Sequence, residues 1–180
     1  FLAAAMFWGD GFWNLLAFSM QMALVLVFGS AMASAKVCKK GLGAIASLAH
    51  NNKQAIVITT FVSVICCWVN WGFGLVAGAL LAKEIAKRVR TVDYPLLIAS
   101  AYSGFVIWHA GFSGSIPLDL VKGKEFAGVV YQAPITETIF HPMNIIMCPV
   151  LLLPMPLTNY ALHPDRAHAV PIDPTPLVAP

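Results

Sequence analysis

Four stretches of this chain carry no Asp, Glu, Lys or Arg: 12–35, 54–82, 94–118 and 138–162. A helix needs about 20 apolar residues to cross the roughly 30 Å hydrocarbon core of a bilayer, and each stretch is long enough. Composition agrees. The 180 residues are 59% apolar and 11% charged, where a soluble domain carries about 25% charged residues. Mean hydropathy is +0.77. One globular core could not hide that much apolar surface, so the solvent is lipid. A net charge of +3 is too mild to suggest nucleic acid, and the Lys and Arg residues fall between the apolar stretches, where topology signals belong. Cys38, Cys66, Cys67 and Cys148 have neither metal-ligand spacing nor the pattern of a disulfide framework, and read as small apolar fillers. No Ser-His-Asp, HExxH, Walker or GxGxxG pattern is present, so nothing points to an enzyme, a cofactor or a bound metal.

The sequence opens at Phe1 inside an apolar stretch, without a basic segment or a small-residue cleavage site. It reads as a fragment and not as a signal peptide. Asp10, among Trp8, Phe12 and Trp13, reads as an N-cap or first-turn charge of the first span, with the aromatics in an interface belt. From 163 to 180 four prolines (Pro164, Pro171, Pro174, Pro176) and the absence of a helical period indicate a linker. His163 and His168 there lack further ligands for a metal.

The stretch 54–82 holds Asn70, Gly72 and Gly74 at its middle. It forms either one long helix or two short arms of a re-entrant hairpin. Charge distribution separates the two. If 12–35 runs inward, Lys36, Lys39, Lys40 and Lys53 are cytoplasmic. A hairpin then returns Lys83, Lys87, Arg88 and Arg90 to the same side, leaving only Lys122 and Lys124 outside. With Arg166 brought inside by the last span, the result is nine Lys/Arg inside against two outside, whereas a full crossing gives six against five, Arg166 then falling outside. Only the hairpin satisfies the positive-inside bias. Residues 75–82 would make an arm of about 12 Å, roughly half the core. The expected architecture is an all-α membrane protein: a transmembrane domain over 1–162, with spans near 12–35, 95–118 and 139–160 and a re-entrant hairpin near 54–82, then a Pro-rich linker over 163–180.

Two places put irregular, polar backbone at membrane depth: 70–74, and 109–115, where Gly111, Gly114 and Pro117 should break a helix. Such backbone is tolerated only where it is buried in protein or lines a watery cavity. Transporters use it to offer N–H groups to anions and carbonyls to cations. The bland alternative is close helix packing, for which Gly and Ser are common. The candidate substrate-binding residues are Asn70, Trp71, Gly72, Gly74, Gly111, Ser113, Gly114 and Ser115, with Trp71, Phe73 and Phe112 for an apolar tail. His109 joins them as the only ionisable side chain deep in a span. It is a proton relay, a substrate contact or a hydrogen-bonded packing residue, and no carboxylate lies near it in sequence.

Four ordered motifs carry a resemblance. Trp8-Gly9-Asp10-Gly11-Phe12-Trp13, Asn70-Trp71-Gly72-Phe73-Gly74-Leu75, Asp93-Tyr94-Pro95-Leu96-Leu97 and Gly111-Phe112-Ser113-Gly114-Ser115-Ile116-Pro117-Leu118 resemble the bacterial short-chain fatty acid transporter family. The resemblance implies uptake of acetoacetate- or butyrate-like carboxylates across the bacterial inner membrane by symport, with Na+ or H+ as a possible coupling ion. It also implies an inverted-repeat architecture of the ion-transporter superfamily, each repeat with a re-entrant hairpin and a broken helix. This chain then supplies the N-terminal half. Its expected partners are a small carboxylate, the lipid bilayer and the second half of the same transporter; a homo-oligomer is a further option. The competing reading is a non-transporting or channel-like membrane subunit that binds small anions. Single cysteines at 53 and 87 should react with an impermeant thiol reagent from the same, cytoplasmic face. Labelling from opposite faces would sink the hairpin.

Overall fold

The computed structural model describes residues 2–126, 128–165 and 167–172. It is mostly helical, and four helical stretches are long and apolar enough to cross a membrane: Ala3–Ser34, Asn52–Val69, Tyr94–Lys122 and Pro142–Ala161.

Helix α1 (Leu2–Ser34) presents large apolar side chains outward along most of its length. The Leu-Ala-Ala-Ala-Met run, made of strong helix formers, is already helical. Asp10 therefore lies inside the helix and not at its N-cap. At Ala35 the backbone is extended, and α2 (Lys36–Ala46) sets off separately. It buries Leu42 and Ala46 and exposes Lys36, Lys39 and Lys40, as a helix lying at a membrane interface would.

Helices α3 (Asn52–Val69) and α4 (Trp71–Arg88) form an antiparallel pair joined through one residue, Asn70. Their other ends meet as well: the Asn52 side-chain amide donates to Thr91 O at 2.9 Å, and the Thr91 hydroxyl donates to Asn52 Oδ1 at 2.7 Å. Lys53 and the basic end of α4, with Lys87 and Arg88 in its last turn, therefore stand at one end of the pair. Each arm has 18 residues, about 27 Å, longer than the arm read from 75–82 alone. The physical reason is that Asn70 starts α4 at once, so Gly72 and Gly74 lie within the helix and not in a loop.

Helix α5 (Tyr94–Ser103) starts at the Asp93 N-cap and continues as a 3-10 segment, Gly104–Ala110. The chain then breaks at 111–114 and resumes as α6 (Ser115–Lys122), the bent span expected from Gly111, Gly114 and Pro117. By sequence alone the polar residues of 119–125 suit a short loop. The structure instead runs α6 to Lys122 and then forms a small hairpin of β1 (Lys124–Phe126) and β2 (Val129–Tyr131), with Gly128 at φ +78 in its turn. Helices α7 (Pro142–Leu152) and α8 (Pro154–Ala161) make the last, kinked span. Pro154, which has no N–H, marks the joint.

Lipid offers no hydrophobic drive for helices to associate, so close packing and polar contacts must do it. Both occur. A Cβ on Gly29 of α1 would lie 2.8 Å from the Gly72 and Phe73 backbone of α4. One on Gly74 would lie 2.4 Å from Cys67 N, one on Gly104 2.4 Å from Ser63 C, and one on Gly111 2.0 Å from Trp68 O. These backbones touch because no side chain intervenes. Beside them runs a buried polar file. Thr59 and Thr60 donate to the carbonyls one turn back, Ser63 donates to Ala101 O, and the Asn159 amide donates to Thr60 Oγ1 and Ser103 Oγ at 3.0 Å each, tying α8 to α3 and α5.

Gly111→Ala should therefore destabilise the protein by about 1–3 kcal/mol, the usual cost of overpacking. Gly43→Ala, in open space on α2, should be neutral or stabilising by up to about 1 kcal/mol. Thermal unfolding of the purified protein in detergent reads both. Equal midpoints for the two variants would refute the close-contact role of Gly111.

Candidate functional site

At membrane depth every backbone N–H and C=O needs a partner inside the protein, and a helix end leaves several without one. The reversal at Asn70 and the break at 111–114 meet this need for each other. The Asn70 N–H donates to Cys66 O, closing α3, while Asn70 Oδ1 accepts from Phe73 N at 2.9 Å and Asn70 O accepts from Gly74 N at 2.8 Å, opening α4. Two further groups at this joint are met from the other break. Ser113 Oγ accepts from Trp71 N at 2.9 Å, and Trp68 O accepts from Phe112 N at 3.0 Å.

The structure thus brings Trp68 and Trp71, on either side of Asn70, against Gly111, Phe112 and Ser113. The glycines face protein: Gly72 meets Val25, Gly74 meets Cys67, Gly111 meets Trp68, and Gly114 meets the carbonyl of His109. Their closeness is helix-to-helix contact. The side-chain donors are placed differently. The Asn70 carbonyl oxygen is taken by the α4 cap, so its NH2 is left to donate. The Ser113 oxygen accepts from Trp71, so its hydroxyl hydrogen is left to donate. Ser115 is the first residue of α6. Around the joint stand aromatic rings, of which the motifs singled out Trp71 and Phe112 but not Trp68, Phe105 or Trp108. Phe105 stacks on Trp108 at 5.2 Å, Trp71 meets both edge-on at 5.9 and 5.8 Å, and Trp68 meets Phe112 at 4.7 Å. A run of scattered aromatics in an apolar stretch gave no sign of this cluster, which exists only once the two breaks touch.

His109 stands apart from this joint. It lines a cavity of about 370 Å³ with Glu137 and His141. Its ring lies 3.8 Å from that of Trp108. The carboxylate missing from its sequence neighbourhood arrives from 28 positions further on. Asn144 holds this arrangement: its amide donates to Ala110 O at 3.0 Å and to Ile139 O at 2.8 Å, fixing the end of the 3-10 segment to the turn before α7.

A larger cavity, about 710 Å³, opens where α3 begins, between His50, Lys53, Thr91, Tyr160, His163 and Asp165. Its polar groups are mostly engaged in building it. Lys53 sits 4.5 Å over the Tyr160 ring, and His163 Nε2 accepts from Asp93 N at 3.4 Å. Residues 163–165 and 167–172, in the segment read as a linker, also dock here. Asp93 Oδ2 accepts from Val170 N at 2.9 Å, Val170 O accepts from Tyr94 N at 3.0 Å, and Ile172 packs on the core. Residues 173–180 lie outside the described residues. Among the described residues no group of three His, Cys, Asp or Glu could hold a metal ion.

The family model described as short chain fatty acid transporter matches residues 2–180. A provisionally named short-chain fatty acid transporter of Escherichia coli (strain K12) is 46% identical over 168 residues, 93% of this chain and 38% of that protein. One of the same designation from Haemophilus influenzae is 43% identical over 181 residues, 96% of this chain and 40% of that protein. The chain thus spans about two-fifths of the length of these curated relatives. No solved structure matches it.

Asn144→Ala would strip two buried-side carbonyls of their donor. It should lower stability by about 1–3 kcal/mol, and Asn144→Asp, which also lacks the NH2, should do the same. A thermal midpoint unchanged in both variants would show that Asn144 does not hold the turn.

Proposed function

Since the chain belongs to the short-chain fatty acid transporter family, we propose that it forms the first part of a secondary transporter that carries acetoacetate- or butyrate-like carboxylates across the bacterial inner membrane, driven by H+ or Na+. The observation that carries this reading is the joint between two broken helices, Trp71 N to Ser113 Oγ and Phe112 N to Trp68 O, in the middle of charge-free sequence. A packed bundle with no ligand to bind has no need of two interruptions facing each other at membrane depth.

A short fatty acid offers one charged group and a small tail, so its carboxylate must supply most of the recognition. No Lys or Arg occurs in any of the four apolar stretches. The donors that remain are the Asn70 NH2, the Ser113 and Ser115 hydroxyls and the positive end of α4. The tail would lie against Trp71, Phe73 and Phe112. In this proposal the α3–α4 pair is re-entrant, with both outer ends cytoplasmic, and the remaining three-fifths of the full-length protein brings the second wall of the site. Because a transporter site lies between its repeats, the 180-residue segment expressed alone should not restore growth on a short fatty acid.

A hydrogen bond to a charged acceptor is worth about 1.5–3 kcal/mol, and a decade of affinity about 1.4 kcal/mol. Asn70→Ala and Ser113→Ala in the full-length protein should therefore each raise the half-saturating butyrate concentration about ten- to a hundredfold at unchanged membrane expression. Uptake of radiolabelled butyrate into proteoliposomes, with and without a sodium or proton gradient, measures this. Parental saturation in both variants would place recognition elsewhere.

A further inference from the structure

Helix α1 acts as a ruler for the depth of the joint between the two breaks. Val25 of α1 lies against Gly72, and Gly29 against Gly72 and Phe73, at the start of α4. Further on, Ala33 is fully buried, and α2 then places Leu42 and Ala46 in the same core as Leu81 and Ile85, near the end of α4. The path through α1 and α2 therefore follows α4 in the same direction, and the part of α1 before Val25 stands beyond the joint. The charge-free stretch 12–35 is about 36 Å of helix. Contact at Val25 and Gly29 falls just past its midpoint. In a bilayer crossed by that stretch, Asn70 reaches about the middle, and the first half of α1 crosses the other half without α3 or α4 beside it.

That half is bare. Trp8, Phe12, Trp13, Leu16, Met20 and Leu24 are all exposed. Lipid accepts such side chains, but it does not accept Gln21. Gln21 is exposed and has no hydrogen-bond partner among the described residues. It lies about 14 Å of helix inside the nearer end of the charge-free stretch, too far for its amide to reach the interface. An amide facing hydrocarbon there would forgo every bond it makes in water. The same signal recurs along the helix. Positions 10 and 14 hold Asp and Asn, and no other position from 10 to 29 apart from Gln21 holds a charged or amide residue. At about 100° per residue, positions 10, 14 and 21 fall within about 40° of one another, on one stripe. The stripe is turned about a sixth of a turn from Val25 and Gly29, so it borders the side of α1 that meets α4.

We propose that this stripe of α1, before Val25, is the surface on which the remaining three-fifths of the full-length protein docks, with Gln21 hydrogen-bonded into it. The matched relatives supply the occupant: this chain spans 38% and 40% of their lengths, so most of such a protein lies outside it. Position supplies the reason for this surface. A helix seated on the stripe stands beside α1 and beyond the start of α4. It thus lies over the joint, where the Asn70 NH2 and the Ser113 hydroxyl are left to donate. The inference rests on the transport reading above, which needs a second wall at that place. The docking helix must be apolar for the most part and must bring one hydrogen-bonding group to the level of Gln21. Close contact is favoured there because lipid competes for apolar side chains but not for the amide.

The test is photo-cross-linking in the full-length protein, with a protease site inserted at position 180 so that cleavage divides it in two. Benzoylphenylalanine at position 17 or 24, one turn either side of Gln21, should hold the two pieces together on a denaturing gel after cleavage. At Val37, exposed on α2, it should leave them separate. Pieces that separate for 17 and 24 alike, as lipid around α1 would give, overturn the inference. So does a product joining the N-terminal pieces of two copies, or joining at 37 as strong as at 17 and 24. Gln21→Leu supplies a sign. It should lower the thermal midpoint of the full-length protein by a few degrees, since a hydrogen bond is lost. An unchanged or higher midpoint, the result for a side chain facing lipid, also overturns the inference. Butyrate uptake by the same protein before cleavage is read separately. Uptake without the cross-link fails this inference alone, and the cross-link without uptake fails the transport reading alone.

Discussion

The reversal at Asn70 depends on a scarcity of partners. Reversing a helix through one residue strands carbonyls at one helix end and N–H groups at the next, and these need partners inside the protein wherever water is excluded. Asn70 serves three of these groups from its own backbone and side chain, and the segment 111–113 serves two more. Neither break is self-sufficient. The placement of α5, the 3-10 segment and α6 against α3 and α4 follows from this mutual completion, as does the ring cluster of Trp68, Trp71, Phe105, Trp108 and Phe112.

Small residues let that completion happen at hydrogen-bonding distance. Gly111 approaches Trp68 O so closely that a Cβ would sit 2.0 Å away, and only then can Phe112 N reach the same carbonyl. Gly74 and Gly104 play the same part against Cys67 and Ser63. In water such contacts would compete with burial of larger side chains. In lipid they have no such competitor, because apolar side chains are equally at home outside. The side chains left free to donate, the Asn70 NH2 and the Ser113 hydroxyl, are by-products of the same geometry: each uses its oxygen to hold the fold and keeps a hydrogen for something else.

The base of the assembly uses another device. Asp93 caps α5 with one carboxylate oxygen and receives Val170 N–H with the other. The segment after α8 is thereby pinned beside the start of α5. Polar residues that looked like loop filler, His163 among them, turn out to tie distant parts of the chain together.

Much was legible without coordinates, and for definite reasons. Four charge-free stretches dictate membrane-embedded segments, because no other solvent accepts them. Asn70, Gly72 and Gly74 inside one apolar stretch, with basic residues beyond both of its ends, point to a reversal. Gly111, Gly114 and Pro117 mark a break, since they neither favour nor complete a helix. What the sequence could not reveal are relations between residues far apart in it. That Ser113 would cap α4 across 42 positions, that Glu137 would share a cavity with His109, and that Asn144 would hold that cavity together depend on which helix faces meet. Local chemistry decides where a chain may turn or cross a membrane. Which turn satisfies which is decided only when the helices pack, because the hydrogen bond that settles it has its donor on one segment and its acceptor on another.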